Sequence, residues 1–149
     1  MTSFQAERTG RALLLHLTKG DDLLKCIEQG AKDAGIQSGI VTSGIGSLRK
    51  FHYHYIMATT DEPEDAFELI ERPMELSSLQ GIILEGKAHL HVVVSEAGNK
   101  SYSGHLEEGS EVQYLAEISI LELKDFPVGR RAKDYGTVTS FAWLDGRKD

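Results

Sequence analysis

The sequence predicts an α+β domain: an antiparallel β-sheet or half-barrel with one α-helix packed on it. Two observations carry that expectation. One early segment repeats its apolar residues at helical spacing, and six or more short runs alternate at period two between turns that carry glycine or asparagine. The 149 residues suit one domain, with no internal repeat or low-complexity tract to suggest another architecture.

Taken in order, Leu13, Leu15 and Leu17 alternate with Leu14, His16 and Thr18, which reads as a first strand ended by Lys19 and Gly20. Asp21 then stands as an N-cap before Leu23, Leu24, Ile27 and Ala31, and Gly35 as a stop, so Asp22 to Ala34 reads as an amphipathic helix. Gly39 to Ser43 is a short β-branched run. The glycines of Gly44-Ile45-Gly46-Ser47-Leu48 fit neither the dinucleotide fingerprint nor the Walker pattern and read as a tight turn between strands. Phe51 to Ala58 alternates aromatics with His52, His54 and Ile56, a strand with two chemically different faces, and Thr59 to Asp65 is an acidic loop. Met74 to Ile83, Ala88 to Ser95 and Val112 to Leu123, with turns at Glu85 and Gly86 and around Gly98 and Asn99, form an antiparallel meander. Residues 8–125 make up the domain. Residues 126–149, with Arg130, Arg131, Lys133, Tyr135, Phe141 and Trp143, read as a last strand, an arm onto a neighbour or a loose tail.

Composition narrows the function classes. Sixteen Lys and Arg against 23 Asp and Glu give a net charge of −7, which disfavours autonomous binding to a phosphate backbone. Cys26 is the only cysteine, so no internal disulfide forms and a reducing cytoplasm is the expected compartment. It sits on the apolar side of the helix and reads as a small buried hydrophobe rather than a reactive thiol. The apolar stretch Ala12 to Leu15 is too short for a signal peptide or a membrane span, and no membrane partner is expected.

The chemistry lies in the histidines. His89 and His91 project from one face of a strand, their backbones roughly 6–7 Å apart, close enough to share a metal. His105 follows Gly104 on the next strand, which can return it to the same place. Three neutral imidazoles plus water make an open site for zinc or a similar divalent ion; the alternative is a set of hydrogen-bonded strand histidines. His52 and His54 form a second pair without an obvious third ligand and read as a half-solvated strand face, unless both pairs meet across the sheet. Glu117 is the candidate catalytic carboxylate, as an acceptor orienting an imidazole or acting on metal-bound water; the alternative is a solvent-facing glutamate. Glu75 is a strand carboxylate of the same ambiguous kind, and Glu107 and Glu108 read as a solvated turn.

The ordered blocks Arg11, Lys19-Gly20-Asp21-Asp22-Leu23-Leu24, Gly44-Ile45-Gly46-Ser47-Leu48, Glu75-Leu76-Ser77-Ser78-Leu79-Gln80-Gly81, His89-Leu90-His91, Gly104-His105-Leu106 and Glu117-Ile118 resemble the plants-and-prokaryotes conserved (PPC) domain family over Arg11 to Leu123. The resemblance implies a PPC-like α+β fold assembled as a homotrimer, and a divalent metal at His89, His91 and His105. It implies the stand-alone prokaryotic kind of chain. Pro127-Val128-Gly129-Arg130-Arg131 lacks the Gly-Arg-Pro core of the AT-hook joined to the domain in plants, so the hook's DNA binding does not carry over. Ser103 stands where the family commonly has a second glycine.

Three functions follow as expectations. The first is a trimeric metal-binding protein with a regulatory or scaffolding role, transcription-related or DNA-associated, whose metal, zinc by expectation, is structural or sensory. The second is a metal-dependent enzyme acting on a small molecule by hydrolysis or hydration, with Glu117 as proton acceptor. The third is DNA binding by a trimer that gathers Arg130, Arg131 and Lys133 into a basic patch.

Overall fold

Alternating buried and exposed side chains run through every long strand, and the buried set faces a single core. The computed structural model describes residues 1–61, 63–132 and 138–146. In these, the elements are β1 (Arg8–Thr18), α1 (Leu23–Asp33), β2 (Gly39–Ile56), β3 (Asp65–Leu84), β4 (Lys87–Glu96), β5 (Lys100–Leu106), β6 (Glu111–Lys124), β7 (Val128–Ala132) and β8 (Thr139–Trp143). The first six strands form one antiparallel sheet in the order β1-β6-β2-β3-β4-β5. Strand β2 leaves β6 near its middle and meets β5 at its end, pairing Tyr53 with Leu106 and His54 with His105. That extra pairing closes β2, β3, β4 and β5 around the core, the predicted half-barrel.

Helix α1 buries Leu23, Ile27 and Ala31 against the sheet. Its N-cap is Asp22, whose carboxylate accepts from Lys25 N at 3.0 Å, not Asp21 as the spacing predicts. Asp21 instead accepts from the backbone and hydroxyl of Thr18 and closes the turn after β1. Gly35, at φ 70°, ends the helix with backbone bonds from Gly35 N to Lys32 O and Ile36 N to Ala31 O, as expected.

The glycine-rich segment is corrected: residues 44–48 make no turn, and one strand, β2, runs unbroken from Gly39 to Ile56 with irregular register there. A methyl on Gly44 would lie 2.8 Å from Leu79 and 2.9 Å from Ile118, so the missing side chain admits close packing rather than chain reversal. The two expected hairpins are present, with positive φ at Glu85 and Gly86 and at Gly98 and Asn99.

The described part of the C-terminal segment, residues 126–132 and 138–146, packs on its own chain. Strands β7 and β8 pair as a hairpin, Val128 is buried, and Arg131 grips Glu85 through two bonds of 2.7 and 3.1 Å. Phe4 packs on Phe141 and Trp143, and Phe126 on Trp143. Lys133 and Tyr135 lie outside the described residues.

Candidate metal centre

Strand alternation places the imidazoles. Leu90 and Val92 point into the core, so His89 and His91 point outward from β4. His91 pairs with His105 on β5, and His105 with His54 on β2, so three strands bring four rings to one outer patch. Ring centres lie 5.6 Å apart for His89 and His91, 4.8 Å for His89 and His105, 5.8 Å for His91 and His105, and 4.4 Å for His54 and His105. The close contact of β5 with β2 needs Gly104: a methyl there would lie 2.5 Å from His54 O and 2.7 Å from Tyr53 Cδ2.

The carboxylate at this patch is Glu107. A single oxygen, Oε1, accepts from Nδ1 of His54 at 2.7 Å and Nδ1 of His105 at 2.9 Å. An ionised carboxylate only accepts, so both Nδ1 atoms carry hydrogen and both Nε2 atoms are left for other work. The expectation of a solvated turn at Glu107 is therefore corrected; its side chain is half-buried between two imidazoles. His54, read as part of a half-solvated face, belongs to the same group, and among the described residues His54, His105 and Glu107 have ligating atoms within 4.8 Å of one another. The sequence held the signal: His105 and Glu107 are two residues apart, the same spacing that drew His89 to His91.

Crowding disfavours protonation here. His89 is pushed down to about 4, first by loss of water around the ring, then by repulsion from His105, Arg130, His91 and His54. His105 is lowered by desolvation despite the opposing bond to Glu107. A neutral ring keeps the lone pair that a metal requires.

The patch opens on two adjoining cavities. One, about 610 Å³, is lined by His54, His89, His91 and His105 together with Ser78 and Gln80. The other, about 750 Å³, shares Gln80, His89 and His91 and is walled on its far side by Arg130 and Phe141.

Glu117 is not part of this group. It pairs with His16 on β1, 3.9 Å away, on exposed β6 surface, with β2 and β3 between its strand and β4. Glu75 is exposed on β3, and His52 bonds through Nδ1 to Glu108 O at 2.6 Å. Of the expected basic patch, Arg131 is paired with Glu85, and Arg130 donates one bond each to the carbonyls of Ile82 and Lys87.

Fold and site together define an antiparallel half-barrel protein with an imidazole cluster on its outer wall. Residues 4–124 match the sequence model of the Plants and Prokaryotes Conserved (PCC) domain, and the chain belongs to that family. A solved plant- and prokaryote-conserved (PPC) protein from Pyrococcus horikoshii is 30% identical, with a TM-score of 0.77 over 89% of this chain and 92% of that one. A metal-containing protein from Archaeoglobus fulgidus is also 30% identical, with a TM-score of 0.71 over 83% of this chain and 86% of that one. A candidate DNA-binding protein from Bacteroides thetaiotaomicron, 19% identical with a TM-score of 0.76 over 94% of this chain and 97% of that one, shares the fold. The bifunctional protein GlmU of a Synechococcus strain is 29% identical over 81% of this chain, which spans only 18% of that relative's length. Among the described residues no helix is long and apolar enough to cross a membrane.

Proposed function

We propose that this chain is a homotrimeric divalent-metal-binding protein with a regulatory or scaffolding role, its ion held by Nε2 of His89, His91 and His105. One observation supports the reading: three rings from two strands lie with their centres within 5.8 Å of one another, and a carboxylate bonds one of them. A tetrahedral zinc-type ion binds imidazole nitrogen at about 2.0–2.1 Å, which sets ring centres roughly 5 Å apart. The spacings here are 4.8, 5.6 and 5.8 Å. Glu107 on Nδ1 of His105 supplies the outer acceptor that metal-bound histidines commonly have. The metal-containing relative from Archaeoglobus fulgidus points the same way.

The test is metal content per chain by elemental mass spectrometry, for the parent and for a His89→Ala, His91→Ala double variant. Near-stoichiometric first-row metal in the parent, lost in the variant, is the expected result. A variant that keeps its metal would assign the ion to His54, His105 and Glu107 instead.

A second reading, an enzyme for hydrolysis or hydration of a small molecule, is favoured by the cavity of about 610 Å³ in front of the imidazoles. A bound metal would supply an activated water there, with Glu107 rather than Glu117 as the carboxylate within reach of the cluster. DNA binding is the least supported, because the chain carries −7 and Arg131 is already neutralised by Glu85.

A further inference from the structure

The cavity walled by Arg130 is built partly from residues beyond the family match. The family match ends at residue 124, whereas Arg130 and Phe141 come from the β7–β8 hairpin. Two contacts dock that hairpin beside β3 and β4. Gly129 admits the Glu85 carboxylate at a position a side chain would fill, and Glu85 holds Arg131. The docked hairpin sets Arg130 opposite Phe141, its guanidinium carbon 5.7 Å from the ring centre.

The guanidinium is half-buried and incompletely used. It donates to Ile82 O at 3.3 Å and to Lys87 O at 3.5 Å, and among the described residues no carboxylate lies within 4.0 Å of it. Of the five N–H donors an arginine carries, three are left without an acceptor among the described residues. A partly desolvated cation with spare donors is stabilised by an anion, and its planar fork matches a carboxylate. The rest of the wall is mainly apolar: Ile40, Val41, Ile82 and Phe141, with Gln80 and the edges of His89 and His91 at one end. The volume, about 750 Å³, is in the range of small-molecule sites.

We infer that the hairpin makes a binding pocket for a small monocarboxylate with a short apolar body, the carboxylate on Arg130 and the body between Ile40, Ile82 and Phe141. The inference stands apart from the metal reading, since every group that it invokes belongs to the chain. A ligand seated this way would still present its apolar end toward His89 and His91.

The probe is benzoate, with benzamide as its neutral counterpart of the same shape, titrated into ¹⁵N-labelled protein and followed by amide chemical shifts. Benzoate is expected to shift the amides of Ile82, Arg130 and Phe141 saturably, and benzamide to bind at least about tenfold more weakly. Arg130→Gln should weaken benzoate by a similar factor, and Arg130→Lys, which keeps the charge but loses the fork, by less. The comparison of benzoate with benzamide uses the parent alone and is unaffected by any variant that folds poorly. Equal binding of the two, or no saturable shift with benzoate, overturns the proposal. Repeating the titration after chelation separates it from the metal: binding that survives chelation supports Arg130. Binding lost on chelation and unchanged in Arg130→Gln would place the carboxylate on the metal and overturn the pocket.

Discussion

Glu107 does two jobs with one oxygen, and that makes it the residue on which the imidazole cluster depends. By accepting from Nδ1 of both His54 and His105, it fixes their tautomers and holds two rings from different strands in register. Glu107→Gln keeps the size but replaces the acceptor oxygen pair with one oxygen and an amide that donates. Metal affinity should fall by about 10–100-fold, read by competition with a chromogenic chelator, while the far-UV circular dichroism stays that of the parent. Unchanged affinity would mean that the rings are positioned by the strands alone. At this scale the sequence was partly legible. His89, His91 and His105 follow from period-two spacing and one turn, but His54 joins them only because β2 reaches β5, a pairing between residues 51 positions apart. Glu117 drew attention because it lies in a strand with apolar neighbours; only the strand order separates it from the histidines.

Among the elements, β2 decides the most. It pairs in turn with β6, β3 and β5, and its two faces divide the labour, with Phe51 and Tyr53 in the core and His52 and His54 outside. Its far end is tied to β3 by Glu68, which accepts from the hydroxyls of Tyr55 at 2.7 Å and Tyr53 at 2.8 Å. Those bonds favour the ionised carboxylate and hold it below the usual range, the Tyr55 bond counting most. The folded state therefore binds the proton less readily than the unfolded chain. The resulting stabilisation is complete above the ordinary glutamate pKa, roughly 4.3, and is lost as pH falls through the lower folded value. Melting temperatures from pH 7 down to 3 should drop more steeply for the parent than for Glu68→Gln; parallel curves would remove Glu68 from the acid limb. Local patterning predicts β1, α1, β4 and β6 well because each buries one face against a single layer. It breaks β2 at the glycines because glycine signals equally a turn and a close backbone approach, and only Leu79 and Ile118 across the gap tell the two apart.

At the scale of the whole molecule, the described residues leave apolar side chains exposed on the outer sheet. Leu14 on β1 is 77% exposed and Ile45 on β2 51%, and both line a cavity of about 420 Å³ with His16, Ser43, Glu117 and Ser119. Among the described residues strand β1 pairs only with β6, so its outer edge presents open backbone donors and acceptors beside this surface. An apolar patch next to an open edge is costly in a monomer and suits contact with another copy, whose matching patch would bury both. Association by apolar contact would let chains carrying −7 each pack together, since exposed charges are screened within about 8 Å at physiological salt. Light scattering behind size exclusion should give three times the chain mass for the parent. Leu14→Arg, which puts a charge in the centre of the patch, should shift that mass toward the single chain while leaving the buried core, and so the circular dichroism, unchanged. A parent that elutes as a single chain at micromolar concentration would contradict the assembly, and the apolar face would then need a different partner.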